Sequence, residues 1–303
     1  MIAIATTREE RIQALNFDYA SVPKEAILPC NLCASDRWVV ITHRDRYGYP
    51  ARATTCADCG LTMLNPRMTP EAYGKFYEGV YRPLVSAYHG RLIDAKTIQA
   101  EQVPYARAFI EFAAPYITDS HRTLLDVGGS TGIVAREFMA EFGFSTTLID
   151  PAPAETAEAA ALGIESITGF VESWDSQGRK FDVVGLFQTI DHLMDLTLTL
   201  AKLREVISDH GIFLVDIVDF RAAMLRNRSV EEAIKIDHVY SLTEETAEAL
   251  FARAGFAWVR KSYSADHLHV SYICVPTKPT IVTPESTWVA NLLREIRQVQ
   301  NTK

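Results

Sequence analysis

Leu124-Leu-Asp126-Val-Gly128-Gly129-Ser130-Thr-Gly132 decides how this chain is read. The stretch from Thr123 to Val127 has the apolar run of a buried strand, and Thr131 to Phe142 has helical periodicity. A strand that ends in a glycine turn and opens a helix is built to meet a nucleotide-type cofactor, because bare backbone N–H groups face the ligand there. It is not the dinucleotide fingerprint. Gly-x-Gly-x-x-Gly read from Gly128 requires glycine at 130 and 133, and Ser130 and Ile133 stand there. Instead an acid, Asp126, sits at the end of the strand. Asp150, followed by Pro151, closes the next strand 18 residues after Gly132. A carboxylate in that place can accept two hydrogen bonds from ribose hydroxyls.

Strand and helix alternate outward from this turn. Further strands are expected at 145–149, 164–168, 181–187 and 212–218, with helices at 154–162 and 195–207, the latter ended by Gly211. A helix over 243–254 is capped by Thr243 and stopped by Gly255. Two strands, 256–263 and 268–275, are close enough to form an antiparallel hairpin, and 284–301 reads as a terminal helix. The alternation predicts an α/β fold, a Rossmann-like parallel sheet covered on both faces and closed by that hairpin. Upstream, Thr69-Pro70-Glu71 starts a helix running to about Glu78, and 91–117 is helical. The chain therefore divides into a segment 1–26 with a short helix, a cysteine module 27–68, a helical linker or lid 69–118, a cofactor domain 119–280 and a C-terminal helix 281–303.

The cysteine module carries Cys30-Asn-Leu-Cys33 and Cys56-Ala-Asp-Cys59-Gly60. Two thiolates in such a pair grip one ion from a tight turn, and two pairs complete a sulfur tetrahedron for zinc. The 22 residues between Cys33 and Cys56 exceed the commonest ribbon spacing, and a Tyr/Arg-rich insert, 43–52, accounts for them. A redox dithiol is the rival reading. Four sulfurs leave no open position, so the expected zinc is structural. It either staples a module too small for its own core or holds a lid over the active site. The fifth cysteine, Cys274, falls in an apolar strand.

The acid at the first strand also selects the cofactor. S-adenosylmethionine (SAM) carries an ammonium and a sulfonium and no phosphate, so a carboxylate suits it and would repel a pyrophosphate. Gly169-Phe170-Val171-Glu172 follows the third strand, where an adenine edge would lie. Taken together, residues 100–275 resemble the class I SAM-dependent methyltransferases. The acid-x-Gly-x-Gly-x-Gly motif of that family matches Asp126, Gly128, Ser130 and Gly132, with Ser130 in place of a glycine and Gly129 between. Phe181 to Leu193 resembles the family's fourth-strand motif, which usually ends Glu-His-Leu and here reads Asp191-His192-Leu193. The resemblance implies that Phe187, Gln188 and Thr189 lie beside the cofactor.

The run Cys59-Gly60-Leu, Asn65-Pro66-Arg67, Phe76-Tyr77 and Tyr81 is similar to a zinc-ribbon subgroup of these enzymes that includes sugar C-methyltransferases. In that subgroup ribbon-proximal tyrosines, the histidine after strand four and a later acid–His pair surround a nucleotide sugar. The counterparts are Tyr77 or Tyr81, His192, and Asp237-His238, where the pair is Asp-His rather than Glu-His. The chain also lacks the extra C-terminal domain of those enzymes, so O-methylation stands beside C-methylation. Methyl transfer to a hydroxyl needs a proton acceptor, for which a histidine suits. His192, just past strand four on the ligand side of the sheet, is the first candidate. His238 is the second, and Tyr81 completes the catalytic set. His267 and His269 read as surface or strand residues.

Composition narrows the partners. Of 303 residues 48% are hydrophobic and the net charge is −8, with no stripe of Lys and Arg. That disfavours a nucleic-acid substrate. No leader-like apolar run and no membrane-length segment is seen, so a cytoplasmic protein is expected. The expected acceptor is a small polar molecule, a nucleotide sugar or glycan precursor, and a homodimer is left open. The alternatives are a zinc-ribbon methyltransferase of ribosomal RNA and a SAM-binding protein without turnover.

Overall fold

The computed structural model describes residues 7–301. The first six residues of the N-terminal segment and the last two of the chain lie outside them. Helix α1 (Arg8–Gln13) starts at Thr7, whose side chain accepts from the Glu10 N–H while Glu10 reaches back to Thr7. The cysteine module follows with β1 (Lys24–Glu25), β2 (Trp38–Thr42), β3 (Ala53–Cys56), β4 (Thr62–Leu64) and β5 (Arg67–Met68). Thr69 caps α2 (Pro70–Gly79), accepting from the Ala72 N–H, with proline in the first turn as the sequence predicts. Two more helices follow, α3 (Tyr81–His89) and α4 (Ala95–Ala113). Gly90, in the left-handed region, ends α3, and Asp94 caps α4.

The main sheet then forms from β6 (Thr123–Val127), β7 (Ser145–Asp150), β8 (Glu165–Thr168) and β9 (Phe181–Leu186), interleaved with α5 (Ile133–Phe142) and α6 (Pro153–Ala161). A short 3-10 turn (Ile190–His192) and α7 (Leu196–Val206) lead into β10 (Ile207–Val218). Next come α8 (Phe220–Asn227), β11 (Tyr240–Ser241), α9 (Glu244–Ala254), the hairpin β12 (Phe256–Tyr263) and β13 (His269–Pro276), and α10 (Ser286–Gln300). One expectation needs correction. Gly211 does not end a helix: α7 stops at Val206, and β10 runs through Gly211. The register against β9 shifts between Ile207 and Ile212, an irregularity that glycine accommodates.

Counted along the chain, the seven strands of the sheet lie in the order 3-2-1-4-5-7-6. The first five are parallel, and the hairpin adds β13, which runs against them, and β12 at the edge, which runs with them. The order reverses between β6 and β9, and the crevice at such a switch point is where an open α/β sheet binds ligands. Side chains on a strand alternate between faces. Leu124, Val183 and Leu214 pack with Phe109 of α4 and Phe138 of α5 on one face. Leu125, Val184 and Phe213 face the other way, toward α7, α9 and the cysteine module.

The module is therefore not a separate bead. Cys30, Leu32 and Met63 belong to the same buried cluster as Val184 and Phe251. Its antiparallel sheet takes a fourth strand, β11, from much later in the chain, Tyr240 pairing with Met63. The insert 43–52 has a structural task as well. Buried Asp45 accepts from the N–H groups of Tyr47 (3.1 Å), Tyr49 (2.9 Å) and Ile236 (3.0 Å). Arg46 N–H donates to the Ile234 carbonyl at 2.9 Å, and Tyr73 Oη to the Ile236 carbonyl at 3.0 Å. Together these bonds hold the loop 234–238 over the switch point.

Candidate active site

A cleft of about 420 Å³ opens above the glycine turn, within the usual size of small-molecule sites. Gly128 makes its floor possible. Its φ is +71°, and a Cβ there would lie 2.3 Å from Thr189. Ser130, also at positive φ, takes a backbone conformation that favours glycine and adds a function of its own. Its hydroxyl donates to Glu155 (2.8 Å) and accepts from Arg82 of α3 (3.1 Å). Arg82 also pairs with Glu155 at 2.8 Å, so α3 is latched across the turn. Asp150 accepts from the N–H groups of Ser130 (3.0 Å) and Ala152 (2.9 Å), one on each oxygen, and burial pushes its carboxyl up to about 6.

Asp126 lies beneath the turn, its Oδ2 2.5 Å from where a Cβ on Gly129 would stand. It is fully buried, and neither oxygen has a hydrogen-bond partner among the described residues. Burial, followed by the charge of Asp150, raises it to about 8. A buried carboxyl without a protein donor is a place for a donor from elsewhere, such as an ammonium. Asp126, Gly129 and Gly132 shape the turn without lining the cleft, and Gly132 opens α5. Pro151, Phe170, Val171, Glu172, Gln188 and Thr189 all line it. Phe187 touches it too, but it is mainly a core ring, edge-on to Phe109 and tilted against Phe138. Gln188 is held with φ +53° by its N–H bond to Asp216 of β10 at 2.7 Å.

A second cavity of about 200 Å³ adjoins the first, and Tyr81, Gln188 and His192 belong to both. Its other walls include Asp191, Asp216, Lys235, His238 and His269. Tyr77 Oη lies 3.0 Å from His192 Nδ1 and 3.3 Å from the Asp237 carbonyl. A phenol has one proton, and a carbonyl can only accept. Both bonds are made together when Tyr77 donates to Asp237 and His192 Nδ1–H donates to Tyr77, which leaves His192 Nε2 with its lone pair. Burial depresses the His192 imidazole below its ordinary range. The His238 ring stands 4.5 Å from it, centre to centre. Tyr81 packs edge-on against His192 at 6.3 Å, its phenol driven up by burial. Burial also raises Asp191 to about 8 and Asp216 to about 6.

The structure thus brings His192, His238 and Tyr81 together from a turn, a loop and a helix. It adds Arg82, Asp216 and Lys235, which the sequence did not single out, and brings in Asp191 and His269, which the sequence read only as a motif residue and a surface or strand residue. Arg82, Asp216 and His269 come from separate elements that only the fold gathers, while Asp191 and Lys235 stand close in the chain to His192 and His238. His269, read as a strand residue, does lie on β13, yet it also borders the second cavity.

The four cysteines of the module are equally close. Cys30 and Cys59 have their sulfurs 3.6 Å apart, and Cys33 and Cys56 3.5 Å. Disulfide sulfurs are about 2 Å apart. Four zinc–sulfur bonds of about 2.3 Å in a tetrahedron place the sulfurs roughly 3.8 Å apart. The set fits one tetrahedral ion.

No helix among the described residues is long and apolar enough to cross a membrane. A family model described as a methyltransferase domain matches residues 98–261. The ubiquinone biosynthesis O-methyltransferase of Azorhizobium caulinodans is 29% identical over 98 residues, which are 30% of this chain and 38% of that protein. The match therefore spans well under half the length of that relative. Among solved structures, a SAM-dependent methyltransferase from Clostridium acetobutylicum aligns with TM-score 0.48 and 14% identity, over 68% of this chain and 99% of its own. The CcbJ methyltransferase from Streptomyces caelestis aligns with TM-score 0.47 and 14% identity, over 58% and 90%.

Proposed function

This chain belongs to the methyltransferase-domain family and is a class I SAM-dependent methyltransferase, and from that premise we propose that it methylates a small, polyhydroxylated acceptor, a nucleotide sugar or related glycan precursor, held in the second cavity. The observation that carries this reading is the wall chemistry. Asp191, Asp216, Lys235, His238 and His269 offer hydrogen bonds, while Ile217 and Val218 are the aliphatic side chains lining that cavity. An aromatic or prenylated acceptor would want apolar walls.

In the cofactor cleft, Asp150 accepts from the ribose hydroxyls, Asp126 acts from beneath the turn as a buried acid on the ammonium side, and Phe170, Val171 and Glu172 border the adenine. Bound there, SAM supplies a methyl group already activated on a sulfonium. The residues at the junction then align the acceptor. His192 Nε2, with its lone pair free, takes the acceptor's hydroxyl proton, while Tyr77 fixes the ring through Nδ1. Tyr81 screens the junction from water. Cys30, Cys33, Cys56 and Cys59 hold one structural zinc, which keeps the insert 43–52, and with it the loop 234–238, in place over the acceptor.

S-adenosylhomocysteine release should be measured against nucleotide sugars, quinone-type phenols and ribosomal RNA fragments. Turnover with the sugars alone is expected. Turnover confined to the phenols or the RNA would overturn the acceptor class, and none with any would favour a protein that only binds SAM.

A further inference from the structure

Three histidines border the acceptor cavity, His192, His238 and His269, and a base needs only one of them. We propose that Lys235 is a positioning residue that fixes His238 as a neutral imidazole with its proton on Nδ1, leaving His192 as the proton acceptor of the site. This rests on the reading of His192 as the base.

Lys235 Nζ lies 3.1 Å from His238 Nε2. An ammonium has donors and no lone pair, so Nε2 must be the accepting nitrogen. The imidazole proton then sits on Nδ1, which faces Asp191 Oδ2 at 3.7 Å. Doubly protonated His238 would place two cations 3.1 Å apart with no lone pair between them. Burial, the largest influence, lowers the Lys235 ammonium below its ordinary range and Arg46 acts in the same sense, while Asp237 and then Asp191 oppose them. Asp237 Oδ2 is also 3.7 Å from His238 Nε2.

The other groups facing His238 act in the same sense. Its imidazole is pushed well below the ordinary range, first by burial, then by Lys235 and by His192, Arg46 and His269 from three further elements. Asp216 and Tyr81 complete the walls of the cavity. His192 differs in kind. Its partner is a phenol, which takes Nδ1–H and leaves Nε2 open. The lysine thus separates two adjacent histidines into a fixed donor and a working acceptor.

The test is spectroscopic and needs no acceptor. Protein labelled with 15N-histidine is followed by long-range 1H–15N correlation from about pH 5 to 8, where a free imidazole titrates. In wild type, His238 should show a protonated Nδ1 and an unprotonated Nε2 throughout. In Lys235→Met the ring stays buried but should lose its single tautomer, with a proton appearing on Nε2, and Lys235→Arg should restore the wild-type pattern. Calorimetry with S-adenosylhomocysteine confirms that each variant is folded. A proton on His238 Nε2 in wild type would overturn the proposal by itself, whatever the variants do, and so would a Lys235→Met spectrum unchanged from wild type. Turnover of His192→Ala separates the two claims. If it is undiminished, the base assignment falls while the tautomer result stands.

Discussion

Asp126 is a carboxyl that the protein buries and leaves unbonded. Its native pKa of about 8 stands well above the ordinary value near 4. Between about pH 4 and pH 8 the native state keeps a proton that the unfolded state has released, so the contribution of Asp126 to stability falls as pH rises through that window. Asp126→Asn removes this dependence. Relative to wild type, the ligand-free mutant should gain stability from pH 5 to pH 8, by at most about 1.4 kcal/mol per pH unit. Melting curves at the two pH values check it, and a constant difference would mean that Asp126 is ionised in the native state. Asp150→Ala should weaken S-adenosylhomocysteine binding about 10- to 100-fold, the loss of roughly 1.5–3 kcal/mol of charged hydrogen bonding, as read by calorimetry. Both acids were legible in the sequence because their signal is local, an acid at a fixed offset from a strand end or a glycine. Lys235 carries no such signal. It stands three residues before His238 on the same loop and matters because the turn of that loop brings its ammonium to Nε2.

At the scale of elements, the loop 234–238 depends on an insert nearly two hundred residues away. Asp45 alone secures the Ile236 N–H with a side chain. Asp45→Ala leaves that buried donor unpaired, a cost of about 1–3 kcal/mol. The variant should lose at least tenfold in turnover with little change in S-adenosylhomocysteine affinity, because the cofactor cleft is built from other elements. Equal loss in both would show that the loop also supports the cofactor. The sequence read the insert only as an explanation of the cysteine spacing. It likewise took Gly211 as a helix stop, because a glycine after an amphipathic run has the same local appearance whether it caps a helix or bends a strand. The strands at 123–127 and 256–263 were recovered residue for residue, since apolar runs bounded by turns leave little freedom.

For the molecule as a whole, the cysteine module and the cofactor domain share one core and one small sheet. Cys56→Ser should release zinc by elemental analysis and lower turnover, while S-adenosylhomocysteine still binds, since none of its expected ligands lies in the module. A native protein free of zinc would remove the structural-metal reading altogether. The α/β class and the closing hairpin were legible because alternating elements admit few topologies. The strand β11 given to the ribbon was not, because a two-residue strand has no periodicity to read. These parts converge on His192, at the border of both cavities. The most direct measurement is therefore paired kinetics and calorimetry on His192→Ala with an acceptor that wild type methylates. Turnover should fall about 10²–10⁴-fold with S-adenosylhomocysteine affinity unchanged. Turnover near wild type, or affinity that falls along with the rate, would contradict the placement of the base at this junction.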